Sequence, residues 1–510
     1  MARRVIFAAS AVTVGVLFSA GSASAATYKV GPTQQYKQLS DVASQLKPGD
    51  VVEVDGDATY TGGVVFDQPG DASNKITIKG VPVNGKRPVV SGATNTIEAQ
   101  ADHYVFQGLE ITGGSFRCFY HHADDITLSD SVIHDCPQHG LLGADADSGS
   151  LLLEYTEVYK CGEGTQHHQI YMATDETAHP KSVFRMQHCY VHDANGGNNV
   201  KSRAERNEIH YNWIEGAMYH ELELIGPDGQ DPTLAREDSD VVGNVLIKRA
   251  SSYVVRFGGD GTGETNGRYR FVNNSVVVQP GGSAVFRLFD GIESVEMHNN
   301  VFTVDGSGDV NLVRTTEAVW STGSALIAGS NNWVITGSSN APTEWTGTVT
   351  GADPGFAAYA SYDLTPTASS PLVDAGASST SGPPGHDFPS PLAAPTSEPP
   401  KHQLEALGAA KARASVGTID IGAYEYGTPS GGSGGSGGGA SGGTAGNATG
   451  GSATGGTGGT APGTGGAKAS GSGDDGGCGC RANSSGCGGG LGLLSLLALG
   501  ALYRRARRRS

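Results

Sequence analysis

The chain has 510 residues, 78 of them Gly, with 37% hydrophobic, 7% aromatic and 17% charged, which excludes a charged coiled coil and a polytopic membrane protein. Its formal net charge is −17, from 34 Lys and Arg against 51 Asp and Glu, and seven of the basic residues (Arg3, Arg4, Arg504, Arg505, Arg507, Arg508, Arg509) lie at the two extremes. So acidic an interior has no global attraction for nucleic acid, and that class of partner is excluded.

Residues 1–25 carry Arg3 and Arg4, an apolar run from Val5 to Phe18 and the small-residue pattern Ala23-Ser24-Ala25. This reads as a secretory signal peptide, so the chain is expected to be exported and its cysteines to meet an oxidising compartment. Residues 26–100 read as an N-terminal cap and first coils. From Gln35 to Leu46, Tyr36, Leu39, Val42, Ala43 and Leu46 fall at helical spacing, and Lys47-Pro48-Gly49-Asp50 stops the helix. Short β-rich runs follow at Val51–Val54, Val64–Phe66, Ile76–Lys79 and Pro88–Val90, each bounded by Gly, Pro, Asn or Asp. One amphipathic helix ahead of many short strands suits a cap over an open sheet end.

An internal repeat occupies 101–350. A polar or small residue stands two positions before an aliphatic or aromatic one at Ser131/Ile133, Thr156/Val158, Cys189/Val191, Asn212/Ile214, Asn244/Leu246, Asn274/Val276, Asn300/Phe302 and Asn332/Val334, with Ile111 opening the series. The spacings are 22, 25, 33, 23, 32, 30, 26 and 32, which means a constant coil with variable loops. Single strands of this length cannot bury a face, but coils stacked about 4.8 Å apart can. The pattern predicts an all-β right-handed parallel β-helix, with Asn212, Asn244, Asn274, Asn300 and Asn332 in one ladder. Residues 351–426 read as its C-terminal end module.

Three stretches carry a likeness to known proteins: Tyr28-Lys-Val-Gly31 with Leu46-Lys-Pro-Gly-Asp50-Val-Val; Asn199-Val-Lys201-Ser-Arg203-Ala with Tyr211-Asn212; and Asp353-Pro-Gly-Phe356, Ser370-Pro371, Asp374-Ala-Gly376 and Asp420-Ile-Gly-Ala-Tyr-Glu425. Over roughly 26–426 the chain resembles the secreted pectate-lyase-like β-helix proteins. Many of these are polysaccharide lyases or hydrolases, and the resemblance implies fold more strongly than reaction.

A second strand falls eight to twelve residues after each marker. With Phe119, Leu141, Ile170, Val200, Leu222, Val255 and Phe286 pointing inward, the next residues (Tyr120, Leu142, Tyr171, Lys201, Glu223, Arg256, Arg287) point outward. The preceding column includes Gln169, Asn199 and Glu221, and Arg203 projects beside Lys201. One exposed face with a shallow groove is therefore expected, suited to an acidic polysaccharide. Such polymers are cleaved by β-elimination, in which the uronate carboxyl is neutralised, its α-proton removed and the leaving oxygen protonated. Lys201, beside Arg203 and Arg256, is the candidate base with a lowered pKa. Tyr171 or His168 would return the proton, Arg256 completing the catalytic set; Arg203, Arg287, Asn199 and Gln169 would bind substrate. Glu221 and Glu223 are candidate Ca²⁺ ligands. In the alginate- and chondroitin-type β-helix lyases a Lys in a Lys-Ser context pairs with an Arg roughly one coil on. Lys201-Ser202 matches, but Arg256 lies two coils away.

Two other readings stand beside the lyase. Lys201, Glu223 and Arg256 alternate in sign, as cross-strand pairs do merely to stabilise a sheet, so the face could be a non-catalytic carbohydrate-binding or adhesion platform. A glycoside hydrolase would use Glu221 and Glu223, two residues apart and roughly 7 Å from each other on one strand. The histidines carry no HExxH motif, and His134, Tyr159 and His192 are expected to stack as surface aromatics rather than bind a transition metal. Cys136 and Cys161 each lie three residues after their marker, and the coil spacing suits a disulfide between them, with two stacked thiols as the alternative. Cys118 shows no evident partner.

From 427 to 477 the chain is almost wholly Gly, Ser, Thr and Ala and reads as a flexible tether. Residues 478–510 hold Cys478-Gly-Cys480, Cys487, an apolar run Leu491–Tyr503 and the cluster Arg504–Arg509. Alone, this is a short transmembrane anchor stopped by positive charge. The order of features resembles the MYXO-CTERM sorting tail of myxobacterial surface proteins, which implies processing and attachment to the cell envelope. The protein is thus expected at the cell surface, outer membrane attached, or secreted after processing, and monomeric as a capped solenoid.

Overall fold

The computed structural model describes residues 25–427 apart from 228–237, 250, 262–264, 280–283, 307, 319–325 and 393. The expected signal peptide, tether and sorting tail lie outside the described residues, save Ala25 and Gly427. Among the described residues no helix is long and apolar enough to cross a membrane.

The chain winds as a right-handed parallel β-helix. Each coil contributes one strand to each of three parallel sheets, with 13, 12 and 10 strands in the order the chain visits them. All the marker aliphatics share one inward column of the second sheet: Ile111, Ile133, Val158, Val191, Ile214, Leu246, Val276, Phe302 and Val334 pair in register from coil to coil. They are buried in a single core, which also takes the inward residues of the other two sheets. In the first sheet that column ends at Met297, Gly329 and Trp345. A Cβ at Gly329 would overlap the Trp345 indole, so only glycine lets the last coil close over the core.

The Asn ladder forms as the repeat predicts. Each Oδ1 accepts the backbone N–H and the Nδ2 of the preceding rung, from Asn212 to Asn244 (2.9 and 3.0 Å), Asn274, Asn300 and Asn332. Each rung follows a residue in the left-handed region: Tyr211, Gly243, Asn273, Asn299 and Asn331, with φ from 52° to 69°. Asn tolerates that conformation, and here its carboxamide has a second use. Asn331 Nδ2 donates to Ala375 O (2.8 Å), Asn299 exchanges two bonds with Ala377, and Asn273 Nδ2 donates to Asp420 O (2.9 Å). The outer Asn column therefore holds a C-terminal strap. The exit motif locks its end: Asp420 accepts the N–H groups of Asp374 and Tyr426, while Glu425 pairs with buried Arg413 (2.9 Å).

Two expectations change. The predicted helix Gln35–Leu46 is two 3₁₀ turns, Leu39–Asp41 and Ala43–Gln45. Its apolar side is the predicted one, since Leu39, Val42, Ala43 and Leu46 are all buried. Asp41 accepts the N–H groups of Lys37 and Gln38, which closes the first turn too tightly for an α-helix to run through it. The disulfide joins Cys118 to Cys136, not Cys136 to Cys161. Cys136 and Cys161 do occupy equivalent positions on neighbouring coils. The Cys136 sulfur, however, turns back to the preceding coil, where Cys118 lies with Cα atoms 5.9 Å apart. Cys161 stays a buried thiol that donates to Tyr159 O (3.3 Å), packed where Gly140 leaves room for its sulfur.

Candidate active site

The third sheet's outward column has the register the sequence predicts. Glu98, Tyr120, Leu142, Tyr171, Lys201, Glu223, Arg256 and Arg287 pair one after another up the helix. Arg314, on the next coil, extends it. Arg203 lies two residues beyond Lys201 on the same side, because alternate strand residues share a face.

This face is filled rather than open. Exposure is 6% for Tyr171, 7% for Lys201, 3% for Arg256 and zero for Arg203, so the shallow groove expected at these residues is absent. A side chain that no repeat pattern announces causes this. Asp260, on the turn that follows the strand Tyr253–Gly258, reaches back so that its Oδ2 lies 2.9 Å from Lys201 Nζ and 2.6 Å from Arg203 Nη2. On the strand between Lys201 and Arg256, Glu223 lies 3.5 Å from Lys201 Nζ and 3.0 Å from Arg256 Nη1, and it accepts Asn198 Nδ2 (2.6 Å). These three cations and two carboxylates form one buried network, with Tyr171 at its edge. Arg203 Nε donates to the Tyr171 hydroxyl (2.9 Å), and Lys201 Nζ stands 5.1 Å from the Tyr171 ring centroid.

The electrostatics decide roles. Burial alone would depress Lys201, but Glu223 and then Tyr171 outweigh it, and its pKa is raised. The expected base with a lowered pKa is therefore not what this lysine is; it stays protonated. Burial raises the Tyr171 pKa, though Arg203 and Lys201 oppose the rise. Glu223 is held below the usual carboxylate range because Lys201 and Arg256 outweigh its burial. Burial, reinforced by Lys201, drives His168 well below the usual histidine value, so it stays a neutral imidazole. Its Nδ1 accepts the Asn198 N–H (2.9 Å), and its ring meets Tyr171 edge-on with centroids 5.4 Å apart. His168 braces the tyrosine.

Gln169, Asn199 and Glu221 do not belong to the face. They lie fully buried in the bend before the third sheet, where Gln169 Nε2 donates to Asn199 Oδ1 (2.7 Å) and Asn199 Nδ2 to Glu221 Oε2 (2.5 Å). Glu221 pairs with the equally buried Lys248 (3.5 Å). Burial pushes the carboxyl up and the ammonium down. This ladder stacks the bend and turns these side chains toward one another rather than toward the surface. Glu221 and Glu223 have different partners: Glu221 meets Lys248 and Asn199, Glu223 meets Lys201 and Arg256. Among the described residues no three His, Cys, Asp or Glu side chains converge as a metal site. Arg287 remains at the face, its Nε donating to Glu317 (3.0 Å) and its guanidinium 4.4 Å from the Phe289 ring centroid. On the second sheet His134, Tyr159 and His192 stack as expected, with centroids 5.0 and 5.1 Å apart, each histidine held by two carboxylates.

Extending the strand alignment by one coil would have found Arg314, twelve residues past Phe302 and in line with Arg287. Asp260 lies in Gly258-Gly-Asp-Gly261, which looks like any loop, and nothing in the sequence says that it turns back across the sheet.

A crystal structure of pectate lyase Pel9A matches 79% of this chain and 97% of its own, with a TM-score of 0.52 and 12% sequence identity; the likeness is one of fold. The complex of XylC with xylose (TM-score 0.44, 9% identity, 65% of this chain and 87% of that one) is more distant. So is the PL6 family alginate lyase AlyGC (0.38, 11%, 61% and 49%). No family model and no curated protein matches the sequence.

Proposed function

We propose that this protein is a lyase that cleaves a uronate-containing polysaccharide by β-elimination on the outer face of its third sheet. The observation that carries this reading is the buried cluster of Lys201, Arg203 and Arg256, with Arg203 on the Tyr171 hydroxyl and Lys201 over its ring. A low-dielectric site rich in fixed cations stabilises the carboxylate and the enolate-like charge that develops next to it. Sharing a fold with a pectate lyase makes the reaction class an analogy consistent with the site.

In this reading Lys201, protonated, and Arg203 neutralise the uronate carboxylate, which acidifies the proton on the neighbouring carbon. Tyr171 as phenolate takes that proton. The electron pair becomes the new carbon–carbon double bond as the bond to the glycosidic oxygen breaks, and Tyr171 passes its proton to that oxygen. Glu223, shared between Lys201 and Arg256, keeps Lys201 protonated. Because the Tyr171 pKa is raised, the reactive form increases as pH rises, and turnover should climb steadily toward pH 10 without a plateau near neutrality.

The test pairs Tyr171→Phe and Lys201→Met. Tyr171→Phe should lose at least a hundredfold in turnover while retaining the polymer on an affinity gel, whereas Lys201→Met should weaken both. A Tyr171→Phe variant with wild-type turnover removes the mechanism. The rival reading, a non-catalytic binding platform, is favoured by one observation: every cation of the cluster has a carboxylate or carbonyl within reach. It predicts retention without turnover in the wild type.

We further propose that the protein works outside the cytoplasm, with residues 1–25 removed on export and 478–510 attaching it to the envelope until processed. Detection of the mature chain in membrane and culture fractions tests this; an intact N-terminus on cytoplasmic protein contradicts it.

A further inference from the structure

Asp260 reaches the cluster from outside the paired strand column, past the end of the strand Tyr253–Gly258. Lys201 already has the carboxylate of the adjacent coil, Glu223. Arg203 donates through Nε to Tyr171 and through Nη1 to Gly226 O (2.7 Å), which hold its guanidinium against the coil. Asp260 arrives from 57 and 59 residues further along the chain. Its segment leaves the sheet at Gly258 and bends through φ values of +106° at Gly258 and +88° at Gly261, which favour glycine. The base of the turn is closed by Thr265 N–H donating to Gly258 O (2.8 Å). The backbone beside Asp260 is held too: Arg256 Nε donates to Gly259 O (3.1 Å). A carboxylate and a neighbouring neutral oxygen are thus presented to Lys201, Arg203 and Arg256. A uronate residue offers the same pair of groups, a carboxylate beside ring or hydroxyl oxygens, and Arg with Lys recognises that pattern by charge-assisted hydrogen bonds.

We infer that Lys201 Nζ and Arg203 Nη2 form the carboxylate subsite for the substrate, and that Asp260 is an internal carboxylate occupying it until a uronate displaces it. This deepens the lyase reading and rests on it for the substrate class. A tethered competitor acts at a high effective concentration, and the apparent affinity for the external carboxylate is the intrinsic affinity reduced by the fraction of time the subsite is open. Uronate binding to the wild type is therefore weak for single sugars and requires the neighbouring contacts of a polymer. The device also disfavours neutral sugars: displacing Asp260 with a group lacking charge leaves Glu223 as the one carboxylate of the described network against three buried cations.

The experiment uses full-length protein and free glucuronate, with glucose as the neutral control, read by thermal unfolding. Asp260→Gly should melt below wild type, and glucuronate should raise its Tm saturably with half-saturation at least tenfold lower than in wild type, whereas glucose should not shift it. Adding Arg203→Met to that variant should abolish the glucuronate effect. If Asp260→Gly does not fold, Asp260→Asn keeps the shape without the charge and should show the same tenfold gain over wild type. Equal half-saturation in wild type and the foldable Asp260 variant, or an equal response to glucose, overturns the inference. No turnover is needed for this readout. A chain that generates no unsaturated product yet gains glucuronate binding in Asp260→Gly keeps the subsite and loses the lyase. A lyase whose Asp260 variants respond equally to both sugars loses only the subsite.

Discussion

Replacing Asn274 by Ala removes the middle rung of the ladder that stacks the coils. Its Oδ1 accepts the Asn244 N–H at 2.9 Å and Asn244 Nδ2 at 3.0 Å, and its own Nδ2 donates to Val241 O at 2.9 Å and Asn300 Oδ1 at 3.1 Å. Asn244 Nδ2 would keep Ile209 O, and Asn300 Oδ1 would keep the Asn274 N–H. The Asn244 N–H, fully buried, would lose its acceptor, and Val241 O would lose a donor. One stranded buried donor costs about 1–3 kcal/mol, and the lost amide contacts with the small void add to it, so the expected total is about 2–4 kcal/mol. Asn274→Ser is the informative partner. At the same ladder position earlier in the helix, Ser131 Oγ accepts the Leu109 N–H at 3.2 Å, so a serine at 274 should recover about 1 kcal/mol of the loss. Urea unfolding followed by circular dichroism gives both values from the midpoints at a common slope. An Ala variant within about 0.5 kcal/mol of wild type, or a Ser variant no better than Ala, would refute the claim that the side-chain ladder supports the stack.

Cys118→Ser opens a loop of sequence separation 18 and should cost about 3 kcal/mol under oxidising conditions, whereas Cys161→Ser should change stability by less than about 1 kcal/mol. Equal sensitivity at the two sites, measured by thermal melts without reductant, contradicts the assigned pairing. Acid should destabilise the fold well before the carboxylates titrate. Burial pushes the His121 pKa down to about 4 and His220 to about 3. The unfolded chain binds protons below about pH 6.5 that the folded chain refuses, so stability is full above that pH and falls toward the folded values. Between pH 7 and 5 each histidine should contribute a loss on the order of 2 kcal/mol. A flat urea midpoint across that range would contradict it.

The architecture was legible because side-chain period and coil length are both fixed by backbone geometry. Once Ile133, Val158, Val191 and Ile214 are recognised as one column, the three-sheet stack and the inward set Phe119 to Phe286 follow. The doublets Asn273-Asn274, Asn299-Asn300 and Asn331-Asn332 were half legible. The inner member follows from the repeat, but the outer one is explained only by a strap arriving from Ala375, Ala377 and Asp420, far along the chain. The site was legible as a column and not as an environment. Register placed Tyr171, Lys201, Glu223 and Arg256 side by side, yet strand alternation alone could not show that Asn199 and Glu221 fold into a bend. Nor could it show that Asp260 covers the face and that Lys201 is kept protonated. The same limit explains the disulfide: position in the repeat says which sulfurs are near, and the side-chain torsion says which one Cys136 meets.

The most direct test of the catalytic reading mixes the purified full-length protein with pectate, alginate, chondroitin and hyaluronan, with and without Ca²⁺, and follows ultraviolet absorbance. Elimination leaves an unsaturated uronate that absorbs, so at least one polymer should give a rising signal that disappears in Tyr171→Phe and is strongly reduced in Lys201→Met. A flat trace on every polymer, with no new reducing ends, would contradict catalysis and leave the third sheet as a binding face.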